Sequence, residues 1–349
     1  MILADLGADV IKIERPGTGD ETRGWGPPFD KRGESAYFLS VNRSKLSVAA
    51  DFAQSADVEL LDGLIAGADV VVENFRPGTL ERRGLGADAM LARHDKLIWC
   101  TITGFGLDSP RLGYDFVVQA ESGWMAITGD VDGGPSKVGV ALADVLAGKD
   151  AAIAVLGAIA GRARGRNAER RLAVSLIHSA TAALVNVAQN ALVTGEEAKR
   201  WGNAHPNLVP YQLFQAADRP LVIAVGTDAQ FRACAQTLGL DALAADASVA
   251  TNAGRLAARE RVIGAIASRV QSERAEHWMR LLDAAGVPCG VVKPVLEALR
   301  AVSASPLTGI APQAPGALRF APPTLDEHGA AVRAHGWAAF VRAEPSAAS

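Results

Sequence analysis

The sequence predicts an α/β fold, a doubly wound parallel sheet with helices on both faces. Three observations carry this prediction. Short strands rich in β-branched residues end at turn or polar signals, and segments with a helical apolar period lie between them. The spacing leaves room for one helix between successive strands, which is the signature of parallel pairing.

The elements follow in order. Ile2–Gly7 reads as a helix end with Gly7 as its C-cap. Ala8–Glu14 alternates as a strand and stops at Arg15-Pro16-Gly17. Val58–Ala68 has the helical period, and Asp69–Asn74 is the strand after it. Ala87–Arg93 is again helical, and Leu97–Thr103 a strand. Ala143–Arg162 is an Ala-rich helix able to pack closely. It ends in the basic turn Arg162–Asn167, either a solvated helix end or a ligand contact. Leu172–Val193 reads as a second long apolar helix. Gly202–Pro210 is a loop and Pro220–Val225 a strand in a new region. The segments Phe231–Leu238, Arg255–Val270 and Ala275–Ala285 are amphipathic helices. The tail after Pro306, rich in Pro, Gly and Ala, reads as a surface wrap. A doubly wound domain ordinarily opens with a central strand, and here the chain opens inside a helix. The expectation is a start placed too far downstream, or a site lacking one of its parts.

Composition bounds the function. Of 349 residues, 49% are hydrophobic and 21% charged, which suits a globular protein with a sizeable core. A net charge of -3 offers no general attraction to nucleic acid or anionic membranes, so a polyanionic ligand needs a local basic patch. The apolar stretches, Ala151–Ala160 among them, are too short for a membrane span, and Met1–Asp5 lacks a basic leader. Cys100, Cys234 and Cys289 are scattered and read as inert thiols in a reducing, cytoplasmic compartment. The six histidines form no ligand pair, so no metal is expected. There is no Gly-x-Gly-x-x-Gly, Walker A or Gly-x-Ser-x-Gly motif.

Parallel sheets bind ligands at the carboxyl ends of their strands, which directs attention to the residues after Glu14, Glu73 and Thr103. Asn74-Phe75-Arg76-Pro77-Gly78, with Arg82 and Arg83 one turn on, offers an amide, an aromatic face and cations. Those are what a nucleotide needs, although a capped helix start explains the pattern as well. Arg15 would lie on the same sheet edge. In Gly139–Gly148 an apolar run is broken by the single carboxylate Asp144, at the head of the Ala-rich helix. It reads as a helix N-cap or as a functional carboxylate beside helix-terminal N–H groups, and the two roles can coexist.

Several further segments resemble the class III CoA-transferases, the CaiB/BaiF family. They are Leu3–Gly17 with Gly19-Asp20, Asn42-Arg43-Ser44-Lys45, Glu73–Gly78, Gly113-Tyr114-Asp115, Gly139–Gly148, Gly202–Asn207, Pro210-Tyr211-Gln212 and Ala285–Gly290. The likeness runs through most of the chain in order and fades by Pro323–His328. Asp20–Phe29 and Glu196–Tyr211 look most like the branch that uses succinyl-CoA and dicarboxylic acids, hydroxymethylglutarate among them.

The resemblance implies a Rossmann-like large domain over 1–209, a smaller α/β domain over 210–300, and a tail, 301–349, returning to the large domain. It also implies an interlocked homodimer. The substrates would be a CoA thioester and a small carboxylic acid, with no permanently bound cofactor. Asp144 takes the catalytic position, CoA contacts fall on Arg15, Asn74, Phe75, Arg76 and Arg82, and Gly113–Phe116 lies near the thioester. The chain departs from the family in its missing first strand and loop, and in having no recognisable glycine-rich flap.

The implied reaction is covalent carboxylate catalysis through aspartyl anhydrides and an aspartyl-CoA thioester. It asks for an ionised Asp144 held by acceptor bonds. Two alternatives stand beside it. α-Methylacyl-CoA racemases of the same family carry a histidine where this chain has Tyr114, and an ordinary phenol is a poor base at neutral pH. A shortened, inactive CoA-binding homologue is the other. Asp115 reads as a second functional carboxylate or a turn cap, and His205 as a loop-fixing group or a contact to a substrate carboxylate. Tyr211 reads as packing, and Arg43 and Lys45 as surface or strand-end charges.

Overall fold

The computed structural model describes residues 1–166, 169–313 and 315–341. Two units emerge. One comprises Met1–Trp124, Val138–Val185 and the chain from Leu299 on, and the other comprises Met125–Lys137 and Asn186–Ala298.

The first unit is mixed α/β with parallel sheets. Strands β1 (Ile11–Glu14) and β2 (Leu46–Ala49) pair in parallel, Ile11 opposite Leu46. Strands β3 (Val70–Glu73), β4 (Ile98–Thr103) and β5 (Arg171–Ser175) form a second parallel sheet in that order. Adjacent residues of a strand face opposite sides, and β4 shows the consequence. Trp99 packs with Leu61, Leu80 and Met90, which brings helices Ser55–Ala66 and Ala87–Arg93 onto one face. Its neighbour Cys100 packs with Ala151 and Val155 of the helix Leu142–Ala163 on the other. Helices therefore cover both faces of this sheet, as the spacing predicts. Small residues let the long helix approach closely, with Ala143, Ala147, Ala151, Ala152, Val155 and Ala158 buried along it. It closes at Gly165 with φ +64, where the Arg166 N–H reaches back to the Gly161 carbonyl. The basic turn is a helix end whose Arg162 pairs with Asp69 at 2.6 Å. Asn167 of that turn lies outside the described residues.

Three expectations need correction. Leu172–Val193 is not one helix. Its first residues form β5, registered on Trp99–Thr103, and Ser175 then accepts the His178 N–H to start the helix Leu176–Ala182. A second helix, Asn186–Thr194, follows Val185, whose φ is +45. The first helix ends at Asp5 rather than Gly7, with Leu6 as its cap. The tail does more than wrap: Val332 of the helix Gly329–His335, with Ala339 and Phe340, packs on Leu46, Val48 and Leu64. Residues 342–349 of that tail lie outside the described residues.

The second unit holds an antiparallel sheet of β6 (Tyr211–Gln215), β7 (Pro220–Ala224) and β8 (Cys289–Val291). Phe214, Leu221 and Ile223 pack there against Phe231, Val262, Ile266, Val270, Trp278 and Leu282 of the helices Asp228–Thr237, Arg259–Val270 and Ala275–Ala284. Each such side chain contributes roughly 1.5–3 kcal/mol when buried. Thr227 and Gln230 close a reciprocal capping box at the first of these helices. Burial pushes the Cys234 thiol up to about 12, and that of Cys100 in the first unit to about 11.

Candidate active site

The first unit carries a cleft of about 1150 Å³, above the usual range for small-ligand pockets of roughly 300–1,000 Å³. Its walls are the strand ends that the sequence singles out: Glu14-Arg15 after β1, Glu73–Arg76 after β3 and Thr101–Gly104 at the end of β4. The head of the long helix supplies Asp144, Ala147 and Gly148.

Each strand end is fixed by committed polar groups. Glu14, buried, accepts two bonds from Arg23 at 2.8 Å, one from Ser47 Oγ at 2.6 Å and one from the Asp20 N–H at 3.0 Å. Burial pushes its carboxyl up, but the bonds from Arg23, Ser47 and Asp20 outweigh this and hold it below the usual range. The Arg15 guanidinium beside it makes no hydrogen bond or ion pair among the described residues. Glu73 accepts from Thr101 Oγ1 at 2.5 Å and from the Phe75 N–H at 2.8 Å, which sets the turn that follows β3. That turn leaves the Phe75 ring exposed and edge-on to Phe52, with centroids 5.5 Å apart. Arg76 also faces the cleft with no protein counter-ion among the described residues. Two unpaired guanidiniums near an exposed aromatic ring are suited to phosphate and adenine.

The loop after β4 is pinched at its neck. A Cβ on Gly113 would lie 2.1 Å from Gly104 Cα, and one on Gly104 would lie 2.4 Å from Gly113 Cα, so neither position admits a side chain. The pinch delivers Tyr114, 56% exposed, into the cleft at the start of the helix Asp115–Glu121. Arg111 of this loop pairs with Glu121 and lies 4.0 Å over the Phe105 ring.

Asp144 is not the N-cap that composition favours. The cap position is Ala141, and Asp144 is the third helical residue. The Ala143 N–H is taken by Asp115 Oδ1 at 2.8 Å, and the Asp144 carboxylate accepts no hydrogen bond among the described residues. Its residue is exposed by area, while the cleft walls crowd it. Burial, and then the Asp115 charge, push its carboxyl up to about 6. The acceptor bonds expected to hold Asp144 ionised are not made among the described residues. The bonds go to Asp115, and Asp144 is left with the desolvation and the like charge.

The cleft gathers Arg15, Asn74, Phe75, Arg76, Tyr114 and Asp144. Arg82 lies one turn behind that wall, 3.0 Å from where a Gly78 Cβ would stand, and Asp115 stands behind Asp144. His205 belongs to the second unit. There its Nδ1 accepts the Asn207 N–H at 3.0 Å and its ring packs 5.1 Å from Tyr211, so it fixes its own loop. Arg43 is buried, and Lys45 is half-buried at the start of β2, so of the two readings the strand-end one holds for Lys45 and the surface one fails for Arg43. Arg43 forms a two-bond pair with Asp5 at 2.8 and 3.0 Å, and Lys45 donates to Asn42 at 2.8 Å, its amine pushed down to about 8 by burial.

Sequence reasoning missed Trp25 and Tyr37, which stack edge-on 5.0 Å apart on the cleft wall. Burial, then Asp144 and Asp115, raise the Tyr37 phenol, which places this ring within electrostatic reach of the carboxylate. The available signal was an aromatic on the outward face of a helix, Ala36–Val41, whose Phe38 and Leu39 point inward. Among the described residues no cluster of His, Cys, Asp and Glu could hold a metal. No single helix among them is long and apolar enough to cross a membrane.

Comparison with known proteins places this geometry. The chain is 41% identical over 301 residues to the mouse succinyl-CoA:glutarate CoA-transferase, covering 85% of this chain and 68% of that enzyme. It is 38% identical over 304 residues to the succinate–glutarate CoA-transferase of Agrobacterium fabrum, covering 85% and 76%. The solved structure of a CaiB/BaiF family protein from Brucella suis superposes with a TM-score of 0.80 at 39% identity, covering 95% of this chain and 93% of that one. Residues 1–308 match the model of CoA-transferase family III, and the chain belongs to that family.

Proposed function

We propose that this CoA-transferase carries CoA from succinyl-CoA to glutarate or a dicarboxylate of similar length, with Asp144 as nucleophile. The single observation that carries the mechanism is the Asp144 carboxylate, without a hydrogen bond among the described residues and raised to about 6, in a cleft that Arg15 and Arg76 also line. The substrates are proposed from the mouse and Agrobacterium relatives.

The steps balance without a redox partner. Asp144 attacks the succinyl thioester carbonyl, and the C–S bond breaks to give a succinyl-aspartyl anhydride and CoA thiolate. The thiolate attacks the aspartyl carbonyl, releasing succinate and leaving an aspartyl-CoA thioester. The acceptor carboxylate then attacks that thioester, expelling thiolate and forming the acceptor-aspartyl anhydride. The thiolate finally takes the acceptor acyl group and Asp144 is restored. The positive end of the long helix's dipole favours the negative charge that develops at each addition. A carboxyl near 6 is about nine-tenths ionised at pH 7 and more nucleophilic than an ordinary aspartate. Arg15 and Arg76 anchor the CoA phosphates, and Phe75 with Asn74 receives the adenine. Arg82 stands as an outlying cation on the same approach.

Proton transfer beside a thioester finds less support. The phenol near Asp144 is Tyr37, raised rather than lowered, and Tyr114 stands where the racemases carry histidine. The family likeness supports an interlocked homodimer, which sedimentation on dilution tests. The three free cysteines fit a reducing compartment such as the cytoplasm.

The test is incubation with succinyl-CoA and a panel of C2 to C6 mono- and dicarboxylic acids, with products read by mass spectrometry. Glutaryl-CoA should dominate. Turnover of monocarboxylic acids alone would refute the substrate class.

A further inference from the structure

The head of the long helix is held by groups distant in sequence. The Ala143 N–H, inside its first turn, goes to Asp115 Oδ1 at 2.8 Å, from a helix 28 residues upstream. The other Asp115 oxygen accepts Gln119 Nε2 at 2.7 Å. Gln119 is 0% exposed and every polar atom of its amide is used. The same Nε2 donates to the Val140 carbonyl at 3.2 Å, and Oε1 accepts the Val138 N–H at 2.8 Å. One buried amide thus ties Asp115 to the segment that leads into the helix. An acidic side chain in the first turn of a helix can reach back to an unengaged N–H at the helix head, where the helix dipole also favours it. Here that N–H is occupied by Asp115.

We propose that Gln119 is a positioning residue for Asp144: by clamping Asp115 onto the Ala143 N–H, it denies Asp144 that bond and keeps its carboxylate free for the thioester. The inference rests on Asp144 as the nucleophile. Among the described residues, the titratable groups that act on Asp144 or respond to it are Asp115 and the Tyr37 phenol. Its raised carboxyl fits this arrangement, because an aspartate folded back on an N–H would lie below the ordinary range.

Two substitutions at Gln119 separate positioning from packing. Gln119→Leu keeps the volume and removes three hydrogen bonds, freeing Asp115 to leave the Ala143 N–H and Asp144 to take it. The result expected is a kcat loss of about tenfold or more with little change in the KM for succinyl-CoA, a split that marks lost positioning. The acid limb of the rate profile should move down towards the ordinary carboxylate value near ~4. Gln119→Glu keeps the shape and removes the amide donor that holds Asp115, so the limb should again move down, and a limb that moves up instead overturns the clamp. If the leucine variant does not fold, the glutamate variant carries the test. Limbs unmoved in both, with activity following thermal stability alone, would overturn the proposal. Mass spectrometry for CoA bound to Asp144 in the wild type keeps the two readings apart. Adduct with unmoved limbs removes only the role of Gln119, and no adduct removes the nucleophile on which it rests.

Discussion

Replacing Asp115 with asparagine takes away one charge; Asn Oδ1 can still accept the Ala143 N–H, while Nδ2 faces the Gln119 amide nitrogen and gives up the bond from it. Its effect follows from the order of causes at Asp144, where burial is the larger and the Asp115 charge the smaller. Together they raise the carboxyl from 3.8 to about 6. The Asp115 charge is the smaller of the two, so its removal lowers the carboxyl without returning it to the ordinary carboxylate range. Wild-type kcat with succinyl-CoA and glutarate should therefore reach half its plateau near pH 6 and about a tenth of it near pH 5. In Asp115→Asn the midpoint should fall below the wild-type value, and the relative rate at pH 5 should rise. The assay is a set of initial rates at saturating substrates from pH 4.5 to 8 at constant ionic strength, because salt screens a charge effect of this kind. A midpoint that stays in place, or moves up, refutes the electrostatic coupling of the two carboxylates.

Other perturbations have equally definite outcomes. Asp144→Asn should reduce transfer by on the order of 10³-fold or more, since it removes the carboxylate that attacks the thioester. It should also stabilise the fold at pH 7. The folded carboxyl is raised, so the native state holds its proton from about pH 4 to 6, and stability falls as pH rises through that window. Solvent screening at this accessible group limits the gain to about 1 kcal/mol, read by urea titration at pH 4 and pH 7. Arg15→Ala and Arg76→Ala should each raise the KM for succinyl-CoA by about tenfold, leave the KM for glutarate unchanged and flatten the salt dependence of the former. Gly113→Ala drives a methyl into the Gly104 backbone at 2.1 Å, which should cost about 3 kcal/mol or more of stability and misplace Tyr114. Thermal unfolding and kcat read both effects.

The elements whose signals are local were legible in the sequence. The strand ending at Glu73 and the helix Ala87–Arg93 follow from period and turn residues within a dozen positions, and the cleft lies at the strand ends as the parallel rule requires. What failed depends on distant partners. Leu172-Ala173-Val174 is apolar in either period. It is a strand because Cys100–Ile102, some 70 residues earlier, offers an edge to pair with. Asp144 looked like a cap, and the carboxylate that bonds the helix head is Asp115, which follows the Gly104–Gly113 pinch. Arg43 looked like surface charge because nothing local shows that Asp5 and the carbonyls of Thr308 and Ile310 enclose it. The catalytic expectation at Asp144 came from family likeness, and the structure adds what the likeness did not: a carboxylate without bonds of its own.

The central claim is that CoA becomes covalently attached to Asp144, and the most direct measurement is to look for it there. The enzyme is mixed with succinyl-CoA without acceptor, quenched in acid within milliseconds to seconds, digested and analysed by mass spectrometry. The account predicts CoA, or a hydroxamate after hydroxylamine treatment, on the peptide bearing Asp144, and discharge of that adduct when glutarate is added. A fully active enzyme with an unmodified Asp144 peptide at every quench time, or an adduct on another carboxylate, would contradict it.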